Sequence, residues 1–178
     1  MKFNFIPPKS HKNPMTSLTL DDLDLRILGA LQLDASISNL ELSRRVHASA
    51  PTCLRRVRAL REAGVIARQI AVVDASKLGP TLTAVVEVSL DRQAAEDYDT
   101  FETYICNEPS VTQCYRVSPG PDFVVIAEVQ DMAAYDELAR RLFKSSANIR
   151  NVRTFFSTRR AKFEANAPVV VAHPNTSR

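Results

Sequence analysis

Between Leu20 and Ile66 the apolar positions fall into three short helical rhythms separated by polar turns. Leu20, Leu23, Ile27, Leu28 and Leu31 recur at the three- and four-residue spacing that gathers them on one side of a helix over about 21–33. Asp34-Ala35-Ser36 makes the turn. Ser38, with Glu41 three residues on, has the form of a capping box and opens a second helix running to about His47. Ser49 caps a third helix, Pro51 sits in its first turn where a missing N–H does no harm, and Gly64 stops it. Leu54, Val57 and Leu60 are expected on its core face. Residues 65–73 alternate weakly and suit a short strand, either a wing or a pairing element beside the helices.

Past a turn-rich connection at 74–80 the rhythm changes. Residues 81–90 read as a strand, 93–107 as a helix with Tyr98, Phe101 and Ile105 inward, and 111–118 and 122–130 as strands flanking a Pro-Gly-Pro loop. A helix over 131–145 groups Met132, Tyr135, Leu138 and Leu142, and a strand over 149–159 closes the series. The order βαββαβ is the ferredoxin-like plan, one antiparallel sheet with two helices on one face. The fold class is therefore α+β, with a winged helix-turn-helix first. The expected divisions are an arm over 1–19, the helical domain over 20–73, a hinge over 74–80, the ferredoxin-like domain over 81–165 and a tail over 166–178. The second sheet face is left open, and dimerisation through it is the simplest way to cover apolar residues there.

Charge sharpens this picture. The chain's formal net charge is +3 over 178 residues. Between Arg44 and Arg68, seven arginines face one acid, Glu62, so a local charge of +6 lies in 25 residues. Such concentration is the footprint of a phosphate-binding face. A helix-turn-helix presents the N-terminal end and outer face of its last helix to the major groove, so double-stranded DNA is the expected partner. Ser49, Ala50, Pro51, Thr52 and Arg55 are the candidates at the base edges, where arginine can pair with guanine and threonine can meet thymine. Arg44, Arg45 and Arg58 suit phosphates. Arg56 adjoins the apolar stripe and either joins them or braces an acid of the first helix such as Asp24.

Cys53, Cys106 and Cys114 lack disulfide or zinc-ligand spacing, which fits a reducing cytoplasm and no metal. Cys53 reads as core filling and His47 as a partner for a helix end. No run approaches 18 apolar residues, and the opening segment lacks a signal peptide's apolar core, with Met15 an alternative start.

In order and spacing, LDDLDLRIL, ISNLELSRRV, SAPTCLRRVRALREAGVI, QCYRVSPGPDFVVIAEVQDMAAYDEL and RTFFSTRRAKF resemble the Lrp/AsnC transcription regulators over about Leu20 to Val169. The resemblance implies a winged helix-turn-helix hinged to a ferredoxin-like (RAM-type) domain, dimers that stack into octamers or similar rings, and an amino acid or related metabolite as effector. No cofactor is implied. The matching effector segments are Pro119, Gly120, Pro121 and Asp122, and the region of Asn148. Asp122 either pairs with a ligand's ammonium group, as the matching aspartate does in the family, or orders its own turn. The family's usual Gly-Asp-Tyr/Phe-Asp and Pro-Gly-Val are replaced here by Pro119-Gly120-Pro121-Asp122 and Ala147-Asn148-Ile149. The prolines remove two N–H donors that a ligand carboxylate could use, so weak binding or a non-standard ligand is expected. The apolar strands on either side put aliphatic or aromatic amino acids ahead of acidic ones. Two other readings exist: an enzyme similar to sirohaem decarboxylase subunits, and an effector-independent DNA-architectural protein. The first should need histidine among its basic residues, and 81–165 contains none. No catalytic residue is therefore assigned.

Overall fold

A computed structural model describes residues 19–74, 77–144, 148–164 and 167–168. The arm read over 1–19 (Thr19 apart), the Met15 start and nearly all of the tail over 166–178 lie outside the described residues. The chain divides into two compact units with the boundary between Val72 and Val73.

The first unit holds α1 (Asp22–Leu33), α2 (Asn39–Arg45) and α3 (Ala50–Glu62). Each start is capped. Asp21 and Asp24 form a reciprocal capping box at α1, Ser38 accepts from the Glu41 amide at α2, and Ser49 accepts from the Thr52 amide at α3. The turn between α2 and α3 needs a left-handed residue, and His47 supplies it with φ of 53°; glycine would take that conformation without strain. Ile27, Ala30, Leu42, Val46, Cys53 and Leu60 make the core.

Two expectations fail here. Leu54 is not a core residue: it is 53% exposed, while Cys53 is fully buried. The buried stripe runs Cys53, Val57, Leu60, at i, i+4 and i+7, which turns Leu54 outward by about 100°. Nor do residues 65–73 form a strand. A strand exists only through its ladder, and among the described residues no partner strand lies beside this segment. Instead the Gln69 side chain donates to the Ala35 carbonyl at 3.1 Å and accepts from Arg61 at 2.7 Å.

The brace is Arg56. Its guanidinium lies 3.1 Å from Asp24 and 2.7 Å from Asp21, joining the middle of α3 to the cap of α1. Asp24 is buried, so its charge depends on this partner.

The second unit is a four-stranded antiparallel sheet in the order β2-β3-β1-β4, made of β1 (Leu82–Leu90), β2 (Val111–Arg116), β3 (Phe123–Val129) and β4 (Ile149–Phe156). Helix α4 (Ala95–Cys106) and α5 (Met132–Ala139) cover one face, and α5 runs into a π-helical turn over Arg140–Lys144. Strand alternation sorts the residues: Ala84, Val86, Val88 and Leu90 of β1 and Phe123, Val125, Ala127 and Val129 of β3 point to Phe101, Ile105, Tyr135 and Leu138. Met132 departs from its expected place on the packed face. It opens α5 and is about half exposed. The uncovered face is also less apolar than the sequence suggested, because half of the β1 and β3 residues are taken by the core. It keeps Val85, Val124, Ile126, Tyr115 and Phe155 beside the Arg153–Glu87 pair at 3.8 Å.

Truncating Arg56 to alanine leaves the Asp24 carboxylate buried without its cation. A loss of about 2–3 kcal/mol in unfolding free energy is expected, the scale of hydrogen bonds to a charged group. Denaturant unfolding of the full chain measures it, and an unchanged midpoint would show the brace to be idle.

Candidate nucleic-acid interface and ligand pocket

On α3 the residues that leave the core stripe face solvent together. Pro51, Leu54, Arg55 and Arg58 are exposed, and Ala50 and Thr52 are half-buried at the helix start. The side chains of Arg55 and Arg58 make no ion pair or hydrogen bond among the described residues, which keeps both guanidiniums available to phosphates or base edges. Arg44 lies 3.6 Å from Glu41 in an exposed pair, a contact of small worth that phosphate can replace. Arg45 is exposed as well, near Asp34.

Three of the sequence candidates have structural tasks instead. Arg56 belongs to the brace between α3 and α1, the second of its two expected readings, with Asp21 and Asp24 as its ion-pair partners. The Ser49 oxygen caps the helix, and the Ser49 and Thr52 hydroxyls lie 2.8 Å apart, so they satisfy each other. Sequence reading missed Asn39, whose amide donates to the Ala50 carbonyl at 2.8 Å and ties the start of α2 to the start of α3. An asparagine just after an N-cap carries no distinguishing signal.

In the second unit the expected ligand anchor is a structural hub. Asp122 is 7% exposed and its carboxylate accepts from the Leu90 amide at 2.7 Å, the Tyr98 hydroxyl at 2.7 Å and the Gln93 amide at 2.9 Å. Its own N–H donates to Val88, and its carbonyl accepts from Val117. Burial pulls this carboxyl's pKa up, but the donors from Leu90, Tyr98 and Gln93 and the nearby Arg150 outweigh it and hold it below the usual carboxylate range. The same bond pushes the Tyr98 phenol up, followed by burial, and the Arg116 guanidinium stacks 3.6 Å over its ring. The three donors give Asp122 the turn-ordering role, the second of its two expected readings. Pro119 and Gly120 lie in the loop before it, exposed, with Gly120 at φ of 127°, where a side chain would be strained; Pro121 is half-buried.

The cavity nearest these loops is elsewhere. About 330 Å³ is enclosed by Leu90, Arg92, Asp97, Thr100, Phe101, Tyr104 and Asn148. Of the sequence candidates only Asn148 reaches it. Its side-chain oxygen accepts from the Arg92 amide at 2.9 Å and its nitrogen donates to the Arg92 carbonyl at 3.2 Å, pinning the loop between β1 and α4. Arg92 and Asp97 form a loose pair at 3.6 Å on the rim, above Leu90 and Phe101. A second cavity of about 420 Å³ lies between Ser110, Glu128, Leu138 and Arg141. Its charges are matched internally, Arg141 with Glu108 and Glu128 with Arg160. Among the described residues no group of three or more His, Cys, Asp or Glu is placed to hold a metal ion.

The two units match two family models, a winged helix-turn-helix DNA-binding domain over residues 20–67 and the Lrp/AsnC ligand binding domain over 83–166. The leucine-responsive regulatory protein of Rhizobium meliloti is 37% identical over 143 residues, 80% of this chain and 92% of that protein. The chain belongs to the Lrp/AsnC family. Two solved Lrp/AsnC-like structures superpose closely. An AsnC family regulator from Agrobacterium tumefaciens has a TM-score of 0.78 at 30% identity, covering 84% of this chain and 97% of its own. A Neisseria meningitidis transcriptional regulator in complex with L-Met has a TM-score of 0.77 at 28% identity, with the same coverages. The chain is thus a DNA-binding transcriptional regulator of the Lrp/AsnC type, carrying that family's ligand-binding domain. No helix among the described residues is long and apolar enough to cross a membrane.

For this Lrp/AsnC chain, Arg55→Ala should weaken binding to a preferred site by about 1–3 kcal/mol and relax the preference at one base position. Arg58→Ala should weaken preferred and random duplexes alike and reduce the salt slope by about one. Fluorescence anisotropy over a salt series separates the two; full discrimination retained by Arg55→Ala would remove that residue from base reading.

The Asp122 hub has its own pH signature. A carboxyl whose folded pKa lies below its unfolded value adds stability above the unfolded value, and that stability is lost as pH falls through the folded one. The melting-temperature gap between wild type and Asp122→Asn should therefore be full at neutral pH and shrink below about pH 4. A gap that does not change with pH would show that the carboxylate charge is not what the hub uses.

Proposed function

We propose that this regulator is a cytoplasmic homo-oligomer whose DNA affinity or assembly responds to an apolar amino acid bound in the cavity beside Asn148. The observation that carries the reading is the Arg92–Asp97 pair on the rim of a pocket floored by Leu90 and Phe101. A zwitterion can slip between such a pair, carboxylate to Arg92 and ammonium to Asp97, with its side chain on the apolar floor. The volume suits a side chain the size of leucine or methionine. The leucine-responsive regulatory protein of Rhizobium meliloti and the Neisseria meningitidis regulator in complex with L-Met agree with that class.

The pocket is wired to its surroundings. Asn148 clamps Arg92, and the Tyr104 hydroxyl donates to the Arg141 carbonyl at 2.8 Å in the π-helical turn. Occupancy thus bears on the start of β4 and the end of α5 together. Linkage then requires only that the ligand favour one assembly or DNA-bound state over another. The homodimer buries the open sheet face through Val85, Val124, Ile126, Tyr115 and Phe155, and higher assembly to an octamer or similar ring follows from further contacts between dimers. A two-fold dimer asks for a DNA site with two half-sites about one helical turn, or a multiple, apart.

Thermal unfolding with each of the twenty amino acids, read together with sedimentation of the same samples, tests this. Leucine, methionine or phenylalanine at millimolar concentration should raise the melting temperature, because a ligand bound by the folded state alone stabilises it. Arg92→Ala and Asp97→Asn should each weaken that shift, by about tenfold or more in affinity for a charge-assisted contact. Wild type that shifts with no amino acid would end the effector reading, and a monomer at micromolar concentration would end the oligomeric one.

A further inference from the structure

Leu54 is one of several exposed large apolar residues in the first unit, with Leu33, Leu40, Ile70 and Val72, and it is the one on the outer side of α3. Single exposed leucines are common on protein surfaces; the company of this one is not. By helical geometry it lies about 40° from Ala50 one turn before it and from Arg58 one turn after it, and about 100° from Arg55. It therefore stands on the border of the arginine-bearing face, between Arg58 and the core-packed Val57 about 60° away, in a segment where the only acid of α3 is Glu62 at its last position. With 53% of its surface exposed it makes little use of its apolar bulk in the folded chain. The Thr52 hydroxyl is paired with Ser49, which leaves that residue its methyl group alone for a base edge.

We propose that Leu54 is a specificity-determining residue that reads thymine through its C5-methyl group. The charges around it call for a polyanion, and the apolar group that base pairs present in the major groove is the methyl of thymine. Ala50 and Pro51 extend the same apolar strip to the N-terminal end of α3, where a recognition helix comes nearest the base edges. Arg55 supplies the hydrogen-bonding partner for a guanine beside it. The helix thus selects a thymine-containing step by apolar contact and an adjacent base by charge-assisted bonds, while Arg58 holds the backbone. Glutamine or serine at position 54 would lose this preference without loss of fold, since the side chain fills no part of the core.

The inference rests on the reading of α3 as the groove-facing helix, and the experiment separates the two. Sites are selected from a random duplex pool with the full chain, and each thymine of the preferred site is then replaced, one at a time, by deoxyuridine, which lacks only the methyl. For wild type, one or two replacements per half-site should weaken binding by about fourfold each, the effect of one buried methyl-sized group at about 0.8 kcal/mol. Leu54→Ala should bind the thymine duplex more weakly by a similar factor and lose nothing further on the deoxyuridine duplex. Arg58→Ala should bind all duplexes more weakly and keep the deoxyuridine penalty. If Arg55→Ala and Arg58→Ala alter DNA binding but no deoxyuridine costs anything, or the penalty persists in Leu54→Ala, the role of Leu54 is overturned and α3 still faces the groove. If neither arginine variant alters DNA binding, the groove-facing reading falls and the proposal falls with it.

Discussion

The attachment of α3 to α1 through Arg56 is the contact on which the DNA-facing surface depends. A recognition helix is useful only if its rotation about its own axis is fixed, since a turn of about 100° would exchange one set of side chains for the next. Apolar packing of Cys53, Val57 and Leu60 sets that rotation coarsely. The guanidinium sets it finely, because two acids at fixed positions on α1, Asp21 and Asp24, must both be reached by one planar group. Asn39 fixes the remaining freedom by tying the starts of α2 and α3 together. Arginine thus has two opposite settings within four residues: at 56 it is drawn inward by buried charge, and at 55 and 58 it stands exposed to solvent.

Asp122 plays the matching part in the ligand-binding unit. A carboxylate in that position joins the end of β1, the start of α4 and the hairpin between β2 and β3, none of which are neighbours in sequence. The cost of burying it is offset by donors on three sides. Because Leu90 both donates to Asp122 and lines the cavity, the hub and the pocket share a wall.

The fold was largely legible in the residue pattern, since period-two and helical rhythms report directly on which face is buried. The βαββαβ order and the three N-terminal helices follow from it, and so does the arginine-rich face. What failed did so for nameable reasons. Cys53 and Leu54 are neighbours of similar apolar character, and choosing between them needs the helix phase to within one residue. Residues 65–73 have a strand's composition, but pairing is a property of two segments. The partners of Asp122 could not be read from the pattern either, because they lie 24 to 32 residues away. The Arg92 rim was invisible because it becomes a pocket only when Asn148, 56 residues on, closes over it.

The sheet has two edges, β2 and β4, and both pairings that form them are irregular: the register shifts between Val111 and Gln113 on one side and between Ser89 and Leu90 on the other. A flat, regular edge is a template on which further chains add strand by strand, the route to fibres and insoluble aggregates. Bulges interrupt that template, and the exposed Arg150 and Arg153 on β4 add like-charge repulsion between any two such edges. The homo-oligomer proposed above gains from closing off that open-ended mode of growth. With both edges spoiled in this way, its proposed contacts fall to the faces, where symmetry lets an assembly finish.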